Sequence, residues 1–446
     1  MGLTVLIYDA GARADAISHA YEESPRISRI IVAPGNDFIA YNREKEVLID
    51  KSCILKDPYS ILETAKKYEP DIIEVAQDDA VACGATDLLR ANNFNVFGPT
   101  QKAARIEWDK AHSRKFMEKY NIPSPQFRAF GSESAAIAYL EEIYAANPKT
   151  EVYIKAGGLC AGKGALDAAT LEEGILRVGQ MKKFGDAGKI IVIEDWLKGE
   201  EFSGYAISDG NTFQMFKTAQ DNKRSHNFDE GDQTGGMGAV SPAMVTAPYM
   251  KQIEEEQMAR AFSGMKAEGA PYEGILYLGG IIADGAPGEP KRPMNIEFNA
   301  RWGDPEGQEV IPSVENYVEL VLTCLEGKLE KVKIKQDKKT RVGVVGASRG
   351  YPNDYSKVRG KRIYGLEDAM DVPGVEIFGA GIDVKDGKFY ANGGRLFTVV
   401  GEGENIIDAR QKAYSAMAMI NIEGNNLHYR TDIGWRDVER FLSGVL

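Results

Sequence analysis

Short apolar runs alternate with amphipathic segments through the first hundred residues. Residues 4–8 (TVLIY), 29–33 (RIIVA), 71–75 (DIIEV) and 95–97 have the length and composition of strands. Residues 14–22, 59–68 and 82–92 carry apolar side chains at helical spacing. Pro34-Gly35-Asn36 and Gly98-Pro99 close two of the runs as turns. Strand alternating with helix predicts βαβ units and a parallel sheet, and the first domain is placed at residues 1–100.

Residues 101–120 read as one charged helix, stopped by Ile122-Pro123-Ser124-Pro125. Strands are predicted at 152–155, 190–194, 202–208, 212–218, 277–283 and 294–299, with a long helix at 247–268 and another at 316–326. This second region, 101–330, has an α+β pattern. The charged stretch KLEKVKIKQDKK at 328–339 leads into a third unit, 331–446, rich in strands and ending in helices near 407–421 and 435–442. The fold class is α/β followed by α+β.

The chain has 446 residues, 43% hydrophobic and 27% charged, which is ordinary globular composition. Its net charge of −12 argues against a duplex nucleic acid or an anionic membrane as partner. A small anionic substrate stays compatible, since a few converging cations can hold one phosphate. No run approaches the roughly 18 apolar residues of a membrane span. The opening MGLTVLIYDAG reads as a strand rather than a signal peptide. Cys53, Cys83, Cys160 and Cys324 form no CxxC pair, and there are four histidines, so neither a disulfide framework nor a zinc centre is expected. A cytoplasmic location follows as the default.

Two stretches carry candidate chemistry. The predicted strand 152–155 runs into Ala156-Gly157-Gly158-Leu159-Cys160-Ala161-Gly162-Lys163-Gly164. Such a loop lets backbone N–H groups approach phosphate oxygens, with Lys155 and Lys163 adding charge. It is not a Walker A loop, because Gly164 stands where Ser or Thr would ligate a metal. On its own it could equally be a surface turn. In Asn295-Ile296-Glu297-Phe298-Asn299, Glu297 and Asn299 are two apart and project from one face of a strand. A carboxylate and an amide oxygen there suit Mg²⁺ (or Mn²⁺) shared with a nucleotide. Arg301 follows directly, placed to steady a transferring phosphoryl group. The plainer alternative is an edge strand with polar side chains in water.

With these stretches, IVIEDWLKGEEFS (191–203), AQDNKR (219–224), TGGMGA (234–239), GILYLGG (274–280), IEFNARWGDPE (296–306), NGGR (392–395) and DIGWR (432–436) occur in order. As a set they resemble the phosphoribosylamine–glycine ligase (glycinamide ribonucleotide synthetase) family of ATP-grasp enzymes. The resemblance implies a pre-ATP-grasp α/β domain, a two-lobed ATP-grasp domain and a C-terminal β-rich domain completing the substrate site. It also implies ATP and Mg²⁺ or Mn²⁺ as cofactors. In the implied reaction, glycine is phosphorylated to glycyl phosphate and then captured by 5-phosphoribosylamine.

Residue by residue, the resemblance places Lys110 and Lys155 on the phosphates, and Gly158, Gly162, Lys163 and Gly164 in the phosphate loop. Glu194 becomes the acid at the adenine hinge, Asp195, Trp196 and Leu197 the hinge backbone, and Glu201 the ribose contact. Glu297 and Asn299 match the metal ligands and Arg301 the FNxRxGDPE arginine. Lys223, Arg224 and Arg395 match positions near the reacting substrates. Gly11, Arg13 and Asp78 are the candidates for the phosphoribosyl end; the plain reading of Arg13 is an ion pair with Asp15 or Glu22. His226 has no counterpart and reads as surface.

The chain departs from the family pattern at Ala14-Asp15, where Glu-His is usual, at 76–81, at Gly157 and at Asn222. Two alternatives therefore stay open: a ligase for a different amine, and a silent nucleotide-binding relative. The expected partners are small molecules, with no nucleic acid or membrane, and the chain is expected to be a monomer or homodimer.

Overall fold

A computed structural model of the chain describes residues 2–158, 160, 164–285 and 288–444. Five parallel strands open it, in the spatial order Glu46–Ile49, Ile27–Pro34, Leu3–Asp9, Ile72–Val75, Val96–Phe97. Val5 to Tyr8 are fully buried, as expected for a strand whose sheet is covered on both faces. The chain winds outward from Leu3–Asp9 to one side, then returns to build the other. A crevice therefore opens between the loops that follow Leu3–Asp9 and Ile72–Val75. Gly11 and Arg13 stand on one side of it and Asp78 on the other.

Two antiparallel sheets make up the second region. One orders Phe127–Phe130, Ile191–Asp195, Val152–Ala156 and Ala165–Ala168; the other orders Phe213–Met215, Gly199–Asp209, Glu273–Ala283 and Arg292–Asn299. The core of the second sheet is continuous with the first domain: Phe202, Leu276 and Leu278 share one apolar cluster with Leu6 and Ile73.

The third sheet ignores the linker at 328–339. Its path runs Gln220–Asp221, Gly238–Ser241, Thr340–Ser348, Arg395–Gly403, Val375–Gly379. Two of its six strands come from the middle of the chain, and four, counting Leu427–His428 beside Thr340–Ser348, from the C-terminal unit. Asp221 and Arg395 thus lie on strands of a single sheet.

Several predicted helices are interrupted. Residues 82–92 divide into Asp78–Ala82 and Ala85–Ala91 at Gly84, whose φ of +83° only glycine adopts readily. Residues 101–120 break at Asp109, an extended residue whose carboxylate caps the His112 N–H at 2.9 Å. The long helix predicted at 247–268 begins as a tight 3-10 turn over Met244–Tyr249 around Pro248, passes through a short α turn at Met250–Gln252 and a π-helical stretch at Ile253–Met258, and is α-helical again over Ala259–Ala267. Helices Glu133–Ala146 and Leu171–Gln180 and strands Glu46–Ile49, Phe127–Phe130 and Ala165–Ala168 are additions to the elements expected from the pattern.

Among the described residues, no helix is long and apolar enough to cross a membrane.

Glu74 lies beneath the crevice, buried and accepting hydrogen bonds from the Tyr21 and Tyr317 hydroxyls, both at 2.8 Å. Burial pushes its carboxyl up to about 7, against the pull of those two donors. The folded chain keeps this proton to about pH 7, whereas an unfolded chain releases it near 4.5. Stability should therefore fall by about 3 kcal/mol as pH rises through that window. Thermal melting at pH 5 and pH 8 should show a smaller pH-induced drop in Glu74→Gln than in the wild type. Equal drops in both would disprove the assignment.

Candidate active site

A cavity of about 940 Å³ lies between the two antiparallel sheets and reaches the crevice of the first domain and the end of the third sheet. Sixteen residues singled out from the sequence line it: Arg13, Asp78, Lys110, Lys155, Gly164, Glu194, Asp195, Trp196, Leu197, Glu201, Lys223, Arg224, Glu297, Asn299, Arg301 and Arg395. Gly158 lies beside it, its carbonyl accepting from Lys110 Nζ at 3.3 Å. Gly11 is also outside the lining, and a Cβ there would stand 3.1 Å from Asp304 Oδ2. Gly162 and Lys163 lie outside the described residues.

One end of the cavity is apolar, with Met117, Val192, Ile281, Ile296 and Phe298 on its walls. Beside it, the N–H groups of Asp195 and Trp196 already donate to the carbonyls of Gln126 and Glu151. Of the three hinge amides expected to face a base, the Leu197 N–H is the one left without a partner among the described residues. Glu194 lines the cavity but is already paired. It pairs with Lys155 and, through Arg114 Nε at 2.7 Å, with the helix Lys110–Lys119. These cations hold its carboxyl below the usual range, although burial alone would raise it. Arg114 went unnoticed in the sequence. The signal was its position four residues after Lys110, which puts both on one helix face.

Glu297 and Asn299 both reach the cavity from Arg292–Asn299, as their spacing predicted. Burial would raise the Glu297 carboxyl, but Lys223, Lys110, Lys155 and Arg301 together lower it to about 2. Asn299 is buried with Nδ2 unpartnered, and its Oδ1 receives only a long 3.4 Å contact from Arg301. One ionised carboxylate and one carboxamide oxygen thus face the cavity with little protein bonding, a donor set that fits a hard divalent cation. No group of three or more His, Cys, Asp or Glu capable of holding a metal occurs among the described residues. Further ligands would have to come from phosphate and water.

Arg301 is fixed from beneath by Glu107, an ion pair at 3.1 Å, and donates to the Trp302 carbonyl at 3.0 Å. Trp302 is fully buried against Tyr205 and Phe216, with ring centroids 5.1 and 5.0 Å away. The Arg301 loop is therefore anchored in the core. Arg395 joins two loops by donating to the carbonyls of Gly235 and Asp304, each at 2.8 Å. Lys223 pairs with Glu201 at 2.6 Å.

Arg13 is paired with neither Asp15 nor Glu22. Nε and Nη2 form a fork on buried Asp9 at 2.7 and 2.9 Å, and Nη1 donates to the Trp302 carbonyl at 3.0 Å. It ties the first domain to the Arg301 loop.

The departures from the family pattern become structural. Asp15 is buried, pairs with Arg43 and accepts the Gly379 N–H at 2.7 Å, joining first and last domains. Gly157 packs against Ile190, whose Cβ would lie 2.8 Å from an added Cβ. Asn222 ties the ends of the paired strands Gln220–Asp221 and Gly238–Ser241 by donating its Nδ2 to the Gly238 carbonyl at 3.2 Å.

Asp221 and Glu306 are among the cavity-lining acids missed by sequence reasoning. Asp221 has one buried oxygen without a partner, and Glu306 accepts from the Ser203 hydroxyl at 2.7 Å. Burial, then the neighbouring Glu306, pushes the Asp221 carboxyl well above its ordinary value.

Comparison with known proteins gives matching domain models over nearly the whole chain. The phosphoribosylglycinamide synthetase N domain matches residues 3–107, its ATP-grasp (A) domain 108–307 and its C domain 341–436. Phosphoribosylamine–glycine ligases of Pseudomonas aeruginosa and Pasteurella multocida are 38% and 36% identical, over 98% of this chain and 99% of each relative. A crystal structure of phosphoribosylamine–glycine ligase from Thermotoga maritima superimposes with TM-score 0.77 at 31% identity, covering 97% of this chain and 100% of that one. Biotin carboxylase from Campylobacter jejuni shares the fold, with TM-score 0.72 at 15% identity, covering 99% of this chain and 96% of that one.

Proposed function

The chain belongs to the phosphoribosylamine–glycine ligase family, and from that premise we propose how its cavity joins glycine to 5-phosphoribosylamine at the expense of ATP. It is an ATP-grasp ligase that uses ATP and a divalent metal. The observation that carries the mechanistic reading is the convergence of Lys110, Lys155, Arg301, Glu297 and Asn299 on one cavity.

The apolar end receives adenine, with the Leu197 N–H and the hinge carbonyls as its polar contacts. The triphosphate then extends toward Lys110, Lys155 and the loop that ends at Gly164. Lys155 must exchange its partner Glu194 for phosphate as ATP enters, and Arg114 keeps Glu194 compensated while it does. Glu201 and Lys223 stand near the ribose and the phosphate path. Glu297 and Asn299 hold Mg²⁺ or Mn²⁺, which when bound neutralises charge on the transferring phosphoryl group. Arg301, locked by Glu107, faces the same charge without reorganising.

A carboxylate is a poor acyl donor because oxide leaves badly. Phosphorylation gives glycine a good leaving group, and the amine of phosphoribosylamine then displaces phosphate from glycyl phosphate. Burial and Glu306 favour the neutral form of Asp221, and the glycine ammonium supplies the neighbouring cation that returns it to a carboxylate, opposite the cations that take the glycine carboxylate. Asp221→Asn should raise the KM for glycine about 10- to 150-fold, the worth of a charge-assisted contact, with the KM for ATP unchanged. An unaltered glycine KM would remove Asp221 from this role. Gly11 and Asp78, on either side of the sheet crevice, take the ribose phosphate end, with Arg13 supporting the wall between them and Arg301.

Incubation with ATP, glycine and freshly generated phosphoribosylamine, in parallel with other amines, tests the reading. Glycinamide ribonucleotide with stoichiometric ADP and phosphate supports it. Turnover confined to another amine, or ATP binding without turnover, overturns it. This reading includes a cytoplasmic monomer or homodimer acting on small molecules alone.

A further inference from the structure

The C-terminal DIGWR motif contributes no residue to the cavity lining, yet it meets a hairpin that does. Strands Arg224–His226 and Glu230–Gln233 pair antiparallel, with Arg224 opposite Gln233. Around the base of this hairpin, Lys223, Arg224, Asp232, Gln233 and Thr234 line the cavity. Its tip is strained: Phe228 and Asp229 have φ of 56° and 58°, left-handed values that non-glycine residues adopt only when held there.

The holding comes from residues 430–436. Asn227 Nδ2 donates to Thr431 Oγ1 at 2.6 Å, and the Thr431 N–H returns to Asn227 Oδ1 at 3.0 Å. The Phe228 N–H donates to Asp432 Oδ2 at 2.7 Å. Asp229 is gripped by Arg430 Nη1 at 3.0 Å and Arg436 Nη2 at 2.5 Å. Arg430 is fully buried, forks onto Asp432 with two bonds of 2.8 Å, and donates to the backbone carbonyl of Arg224 at 3.1 Å. One guanidinium therefore spans the hairpin tip, the C-terminal motif and the main chain of a cavity residue. The planar fork suits this task, and lysine could not reproduce it.

We propose that Arg430 and Asp229 form a clamp through which the C-terminal domain positions Lys223 and Arg224 for the reacting substrates. Arg430 is a positioning residue that acts through the hairpin. The proposal rests on the reading that Lys223 and Arg224 face those substrates. The adenine hinge, Lys110 and Lys155 lie on other elements, so loosening the clamp should spare most of the ATP contacts.

The full chain with Arg430→Gln, Arg430→Lys, Asp229→Asn and the double change Asp229→Asn/Arg430→Gln should be assayed for kcat and KM of each substrate and for ATP Kd by calorimetry. Asp229→Asn and Arg430→Gln are expected to lower kcat/KM for glycine or the amine about tenfold or more, with ATP Kd within about threefold. The double variant should be little worse than the poorer single one, since both break one unit. Arg430→Lys should not rescue. If Arg430 variants do not fold, Asp229→Asn decides alone, because its side chain is 32% exposed. Unchanged ligation, or ATP affinity falling in step with ligation, overturns the proposal. Arg224→Ala run alongside separates the two ideas. A silent Arg224→Ala removes the premise; a damaging Arg224→Ala beside a silent Asp229→Asn removes the clamp.

Discussion

Glu297→Ala is expected to lower kcat about 30- to 900-fold, the effect of losing about 2–4 kcal/mol of transition-state charge stabilisation, while nucleotide still binds. The four cations that draw the Glu297 carboxyl down to about 2 explain the asymmetry. Without the carboxylate, Lys223, Lys110, Lys155 and Arg301 repel one another, and the triphosphate supplies the missing negative charge. Binding thus survives as the phosphoryl group loses one anchor of its metal. Asn299→Ala should act in the same direction, because it removes the neighbouring oxygen. A metal titration of kcat, with ATP Kd measured by calorimetry on the same samples, checks both. Wild-type turnover of both variants at limiting metal would sink the assignment.

Arg13→Ala should be the most damaging single change in the first domain. The sequence offered Arg13 as a substrate contact, whose loss would raise the KM for the amine. The structure adds a prior role, since truncation leaves the Asp9 carboxylate buried without its fork and leaves the Trp302 carbonyl with Arg301 as its donor. Breaking one side of a buried ion pair costs about 3–5 kcal/mol, more than the pair contributes intact. We expect a clear fall in the unfolding midpoint together with weaker amine use. Asp9→Asn/Arg13→Gln, which leaves no uncompensated charge, should recover most of the midpoint. Urea unfolding of the single and double variants gives the measurement. A single variant as stable as wild type would show that the fork does not hold the first domain to the Arg301 loop.

Local pattern carried much of the site. Lys155 and the Glu297–Asn299 pair sit in continuous strands whose geometry alone turns their side chains to the cavity. What escaped depends on partners distant in sequence. Glu107 matters because its carboxylate takes the Ala300 N–H at 2.8 Å and flanks Arg301, a contact 193 residues away. Arg430 meets Asp229 across 201 residues. Spacing within one segment could not have paired these. In the fold, buried parallel strands were legible because both faces are apolar. The single helices expected at 82–92 and 101–120 were not, because a left-handed Gly84 and a capping Asp109 each end a helix that apolar spacing would have continued. The divergent front motif shows the same limit. Asp15 stands where the family pattern usually has His, and it fastens Gly379 across 364 residues.

The third sheet takes strands Gln220–Asp221 and Gly238–Ser241 from the middle of the chain and closes on Thr340–Ser348 from its end. A cut in the charged linker would leave both pieces with an open row of unpaired backbone groups, and such edges recruit one another or aggregate. The matching domain models describe modules of descent, since each has its own recognisable sequence. As a physical object the protein has no corresponding seam. Its last two modules must complete a common sheet before either is finished, so gene fusion or fission at the linker would be neutral only if both halves were made together.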